Sequence, residues 1–168
     1  MEKQAAGLSV DCRERQIEES DINMELVIKH FNELSVKELF EILKLRVSVF
    51  VVEQKCPYQE VDDADLKACH IYLKDETGII AYARVLPENT TFQEPSIGRV
   101  IAVKRRCGLG TQIVSAGIQV AREEFGAKCI VIEAQVYARK LYENLGFVQS
   151  SPEYLEDGIP HIKMTLQL

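Results

Sequence analysis

The stretch Val100–Thr111, V-I-A-V-K-R-R-C-G-L-G-T, passes from an apolar strand-like run through three cationic residues into Gly108-Leu109-Gly110. Apolar residues then recur at Ile113, Val114, Gly117, Ile118, Ala121 and Phe125, the period of an amphipathic helix. A strand that feeds a glycine turn and then a helix leaves the first helical N–H groups without partners, at the positive end of the helix dipole. Such an end is an anion site. Gly108 and Gly110 let the backbone approach phosphate oxygens, while Arg105 and Arg106 add charge and directed donors.

Two familiar phosphate patterns fit poorly. A Walker loop ends in Gly-Lys-Ser/Thr, and here Thr111-Gln112 follows Gly110 with no lysine to reach a β- or γ-phosphate. A dinucleotide fingerprint needs a third glycine where Ile113 stands, although Glu133 lies at about the distance of a ribose-binding acid. That second reading is a partial match.

Composition narrows the partners. A chain of 168 residues with 46% hydrophobic and 27% charged residues suits one domain with a sizeable core. A net charge of -6 argues against nucleic acid or an anionic membrane as the main partner. The cysteines at 12, 56, 69, 107 and 129 are odd in number and form no C-x-x-C pair, so neither a metal site nor a disulfide framework is expected. The apolar runs Val49–Val52 and Ile79–Ala83 are too short to span a bilayer. The expected setting is the reduced cytoplasm.

In order, residues 1–23 are polar and read as an extension ahead of a domain over 24–168. Glu25–Phe31 reads as an edge strand, and Ser35-x-x-Glu38 as a capping box opening a helix with Val36, Leu39, Phe40, Leu43, Val47 and Phe50 on its core face. Gln54–Asp65 sets Glu60, Asp62, Asp63 and Asp65 against Lys55, which makes it either a solvated turn or an attractor of a cationic amine. His70–Lys74, Ile79–Leu86 and Ile97–Val103 read as an antiparallel meander, and Cys129–Ile132 as a central strand apolar on both faces. A short helix over Tyr137–Leu145, a strand at Phe147 and a final alternating strand with His161 on its polar face complete an α/β pattern.

Arg105-x-x-Gly108-x-Gly110 resembles the pyrophosphate loop of the GNAT superfamily of acyl-CoA N-acyltransferases, [Arg/Gln]-x-x-Gly-x-[Gly/Ala]. Leu141-Tyr142-Glu143-Asn144-Leu145-Gly146-Phe147 is similar to its second signature. Val51-Val52-Glu53-Gln54, Cys56-Pro57-Tyr58, Ile97-Gly98-Arg99-Val100 and Glu156–Ile162 resemble the ElaA-like branch, so the resemblance runs from about residue 30 to the end. One departure stands out. The last strand valine usually precedes the loop arginine by five residues, whereas Val103 precedes Arg105 by two and Ala102 by three.

The resemblance implies a mixed, mostly antiparallel central sheet flanked by helices on both faces, opening in a V at the acyl-CoA site. It implies acetyl transfer from acetyl-CoA, by direct attack, to a small cationic amine or a peptide amine. Arg105, Arg106 and the backbone of Cys107, Gly108, Leu109, Gly110 and Thr111 would hold the pyrophosphate. The main chain of Ile101, Ala102 and Val103 would pair with the pantetheine arm and donate to the oxyanion. Tyr142 would protonate the leaving thiolate, since a phenol near pKa ~10 and a thiol near ~8.5 are close enough for transfer. For the base the order is Glu133, His161, Glu60, with Glu53, Glu60 and Arg99 on the acceptor side. A non-catalytic CoA-binding module remains the other reading, and edge pairing through the C-terminal strand would make a homodimer.

Overall fold

The computed structural model describes residues 23–168, so the extension assigned to 1–23 lies, apart from Asn23, outside the described residues. The strands are β1 (Glu25–His30), β2 (Cys69–Asp75), β3 (Gly78–Leu86), β4 (Ser96–Ala102), β5 (Cys129–Gln135), β6 (Val148–Gln149), β7 (Tyr154–Glu156) and β8 (Ile159–Gln167). The helices are α1 (Val36–Arg46), α2 (Leu109–Phe125) and α3 (Arg139–Asn144). The sheet order is β1-β2-β3-β4-β5-β8-β6, with β7 also on β8, and every pairing is antiparallel except β4 with β5. This is the mixed, mostly antiparallel sheet that the family resemblance implies. No helix among the described residues is long and apolar enough to cross a membrane.

Two cores hold the sheet, one on each face. The larger packs α2 through Leu109, Ile113, Val114 and Val120 against Ile71, Val85, Ile97, Ile130, Ile132 and Met164. Ala134 and Ile162 extend it under α3, whose Tyr142 packs edge-on to Phe147 with ring centroids 5.8 Å apart. The smaller core joins Val27, Tyr72, Tyr82 and Ile101 to α1 at Ile42. Full burial of one such aliphatic side chain contributes about 1.5–3 kcal/mol.

α1 begins as expected. Ser35 Oγ accepts from the Glu38 N–H at 3.2 Å, and the Glu38 carboxylate accepts from the Ser35 N–H at 2.8 Å. Its buried face, however, is not the one that the apolar period suggests. Val36 and Phe40 are 86% and 63% exposed, while Ile42 and Arg46 are fully buried. The reason is electrostatic: the acids of the following segment fold beneath the helix and draw Arg46 inward. Arg46 Nε donates to Glu60 Oε1 at 2.8 Å, and its Nη1 and Nη2 donate to Asp65 Oδ1 and Oδ2 at 2.6 and 3.1 Å. A π-helical continuation, Val47–Glu53, then leads from α1 into the cleft wall.

A buried ion pair contributes little net stability, but removing one partner leaves an uncompensated charge. Arg46→Met is therefore expected to destabilise the protein by about 3–5 kcal/mol, read as a lower midpoint in denaturant unfolding. A loss below about 1 kcal/mol would show that Glu60 and Asp65 need no guanidinium there.

Glu38 couples the stability of α1 to pH. Lys29 Nζ, the Ser35 N–H and the Tyr72 hydroxyl all donate to Glu38, holding its carboxyl well below the ordinary carboxylate range. A carboxyl depressed on folding adds stability above its unfolded pKa of about 4.3 and loses it as the pH falls through the folded value. Glu38→Gln should flatten the loss of stability on acidification below about pH 4, measured by urea unfolding at stepped pH. An unchanged acid limb would refute this.

Candidate active site

The cleft starts where β4 leaves β5. The two strands bridge at Ser96 and Val131, and the Val131 N–H donates to Pro95 O at 3.1 Å. Beyond that point β5 turns to β8, pairing as far as Gln135 with His161, and the sheet opens into a V. The opening is a cleft of about 1010 Å³.

A bulge shapes its β4 wall. Between Tyr82–Ile101 and Arg84–Gly98 the register advances two residues on β3 and three on β4, so one extra residue lies at Arg99–Val100. Arg99 there takes φ 53°, a left-handed conformation uncommon outside glycine. The ladder then resumes, and the Val103 N–H donates to Ile80 O at 2.9 Å. Bonded residues alternate along an antiparallel pair, so Ile101 also faces β3 and Ala102 turns its N–H and C=O toward the V. Of the three residues expected to offer free main chain, Ala102 does so, whereas Val103 and Ile101 are engaged with β3.

After Val103 the chain reaches α2 through a compact turn closed by Arg106 at φ 62° and Gly108 at φ 77°. Gly108 is the α2 N-cap. Lys104, Arg105, Arg106, Gly108, Gly110 and Thr111 line the cleft. Cys107 is exposed outside it, and the Leu109 side chain packs into the core. Gly108 meets the need for a positive φ, but Gly110 serves packing. A Cβ on Gly110 would lie 2.7 Å from Leu141 Cδ1. The absent side chain lets α3 sit against the first turn of α2 and brings the neighbouring Tyr142 to the cleft wall. Burial pushes the Tyr142 hydroxyl above the usual tyrosine range.

The opposite wall is β5 and β8. Glu133 lies 3.7 Å from Lys163 Nζ, which in turn sits 5.0 Å over the Phe92 ring. His161 Nδ1 is 2.7 Å from Ile159 O. A carbonyl oxygen only accepts, so in the neutral ring Nδ1 carries the hydrogen and Nε2 keeps its lone pair. The Tyr154 ring stacks on the imidazole at 6.1 Å, fixing its plane. Both Glu133 and His161 line the cleft, with Glu156 and Asp157 at the turn before β8.

The acidic segment corrects two expectations. Glu60 is 3% exposed, and its carboxylate is held by Arg46 and by Arg99 Nε at 2.9 Å, so it stands behind the wall and touches no acceptor. Arg84 Nη1 donates to Asp62 Oδ1 at 2.6 Å and to Asp65 Oδ1 at 3.0 Å. Three guanidiniums, Arg46, Arg84 and Arg99, thus neutralise Glu60, Asp62 and Asp65, and the segment does not present itself as an attractor of cations. Burial alone would raise the Asp65 carboxyl, but Arg46 and Arg84 outweigh it and hold it low. Glu53 belongs to the other half of the cleft, where its carboxylate pairs with Arg105 Nη2 at 2.7 Å.

The sequence reading passed over Arg46, Arg84, His70 and Tyr82. His70 Nε2 donates to Asp65 O at 3.1 Å, so Nδ1 accepts from the Tyr82 hydroxyl at 2.8 Å. Burial holds this imidazole below its ordinary pKa and hence neutral. The usable signal was a basic residue, Arg46, at a helical position one turn after Ile42, followed by acids in the next segment.

Comparison with known proteins agrees with this geometry. Residues 33–168 match the family model described as an acetyltransferase (GNAT) domain. A UPF0039 protein of Schizosaccharomyces pombe is 46% identical over 150 residues, covering 87% of this chain and 99% of that protein. The crystal structure of Escherichia coli ElaA is similar at TM-score 0.80 and 36% identity, over 86% of this chain and 99% of that one. An acyl-CoA N-acyltransferase from Pseudomonas aeruginosa gives TM-score 0.79 at 38% identity, over 85% and 99%. A bulged β4, a V opened against β5, a glycine-capped α2 and a matching family model together make this chain a member of the GNAT acetyltransferase family, among its ElaA and UPF0039 relatives.

Proposed function

We propose that the chain is an N-acetyltransferase that moves an acetyl group from acetyl-CoA to a primary amine by direct attack. The reading rests on one observation: Ala102, the α2 N-terminus with Arg105 and Arg106, and Tyr142 line a single cleft. A GNAT fold takes an acyl-CoA donor and an acceptor. The residues present fit such a donor, because the free N–H groups at Gly108–Thr111 and two guanidiniums match a pyrophosphate in charge and in hydrogen bonding. The Arg105–Glu53 pair is exposed on both sides, so exchanging it for a phosphate oxygen costs little.

Each step of the transfer has a group to serve it. The Ala102 N–H donates to the carbonyl oxygen of the thioester as negative charge develops there. His161 Nε2, or Glu133 through a water, takes the proton that the attacking amine nitrogen loses as the C–N bond forms. Tyr142 gives its proton to sulfur as the C–S bond breaks, leaving an amide and free CoA thiol. Ile159 O orients His161 and fixes its tautomer, with Nε2 4.0 Å from Glu156 Oε2, while Lys163 lies 3.7 Å from Glu133. A Tyr142 hydroxyl raised by burial stays protonated, so this acid should not lose activity on the alkaline side until above about pH 10.

The test is titration calorimetry of acetyl-CoA, with NAD as control, followed by a thiol-release assay over a panel of amines. Micromolar acetyl-CoA binding is expected, falling tenfold or more, about 1.4 kcal/mol, in Arg105→Ala/Arg106→Ala. Tyr142→Phe should lower kcat by about 10²–10⁴ without changing acetyl-CoA affinity. Binding of NAD in place of acetyl-CoA would overturn the reading. Binding of CoA without turnover, unaffected by Tyr142→Phe, would make the chain a binding module.

A further inference from the structure

Arg99 spends part of its fork on Glu60 and Asp62 and leaves one nitrogen over. Its Nε and Nη2 donate to Glu60 Oε1 and O at 2.9 and 3.1 Å, Nη2 also reaches Asp62 Oδ2 at 3.4 Å, and the guanidinium lies 5.3 Å from the Tyr58 ring centroid. These contacts fix the plane and one edge of the fork. Its Nη1 donates to no protein acceptor among the described residues, and the side chain lines the cleft. The backbone is also held unusually. Arg99 occupies φ 53° at the bulge, next to Gly98, which could adopt that conformation without strain. Left-handed non-glycine residues are strained and persist where the surroundings enforce them, commonly at ligand sites.

The opposite wall carries the other sign. Glu133, Glu156 and Asp157 line it, with the His161 lone pair among them. The acceptor half of the cleft is therefore dipolar, with an oriented N–H pair on β4 facing carboxylates on β5 and at the end of β7 and the turn before β8. A simple polyamine matches only the second wall and leaves the Arg99 donors unpaired. A molecule that carries both an amine and a carboxylate matches both.

We propose that the acceptor belongs to the class of free amino acids, its carboxylate bound by Arg99 Nη1 and its amine directed toward His161 and Glu133. This rests on the acetyltransferase reading above. Polar groups built to meet a substrate group discriminate strongly against analogues that lack it, because the donors are then left without a partner.

The experiment compares free amino acids with their decarboxylated amines in the thiol-release assay, using the full chain and acetyl-CoA. At least one amino acid should turn over with kcat/KM tenfold or more above its decarboxylated counterpart. In Arg99→Gln that ratio should fall to within about threefold of unity. Arg99→Lys, which keeps the charge but loses the fork, should lie between. Acetyl-CoA affinity within twofold of the parent chain shows that both variants are folded. Equal or better turnover of decarboxylated amines, no turnover of any amino acid, or a carboxylate preference that survives Arg99→Gln would overturn the proposal. Acetyl-CoA binding in the parent chain separates these outcomes from failure of the acetyltransferase reading, which would abolish that binding itself.

Discussion

The fully buried guanidinium of Arg46 is the interaction on which the acceptor half of the molecule depends. A bare charge there would cost many kcal/mol, so its position requires Glu60 and Asp65 to be beneath α1 and correctly oriented. Asp65 in turn engages Arg84 on β3, and Glu60 engages Arg99 on β4. One chain of alternating charges thus ties α1, the segment after it and the bulged strand into a single body. Through His70 and Tyr82 it reaches β2 as well. Substituting any member changes the wall that an acceptor meets, even where the residue itself never touches one.

Much of the fold was legible because it rests on local rules. The Ser35–Glu38 box, the apolar period of α2 through Phe125 and the alternation of β8 around His161 each follow from neighbours within a few residues. The buried face of α1 was not, because Val36 and Phe40 obey the helical period yet lie outward. What overrides the period is a set of acids 14 and 19 residues further on, Glu60 and Asp65, whose partner a single sequence does not name. The same gap explains the reading of Glu60 as an acceptor contact. A run of acids looks like a field until the arginines that neutralise it are known.

The two halves of the cleft differ in what they are made of, and this decides how far sequence can speak. The donor half is largely backbone: helix N–H groups, a glycine turn and an unpaired strand edge. Its sequence marks are residues at fixed short offsets, Arg105, Gly108 and Gly110. The acceptor half is side chains brought from β4, β5, β8 and the segment after α1, more than a hundred residues apart at the extremes. In the proposed reading, its specificity is written in tertiary geometry, such as the orientation of the Arg99 fork and the tautomer of His161.

The short connection between β4 and α2 shows the same logic in reverse. Fewer residues separate the strand valine from Arg105 than the family pattern provides, which by itself would pull α2 toward the sheet. The chain absorbs the difference in two ways. It keeps Val103 in the ladder on Ile80, and it reverses direction within three residues through left-handed Arg106 and Gly108. Because Gly110 carries no Cβ, Leu141 of α3 can settle where a side chain would stand. The left-handed pair thus absorbs the shortening, while Gly110, which the family pattern also carries, lets α3 and Tyr142 pack against the first turn of α2.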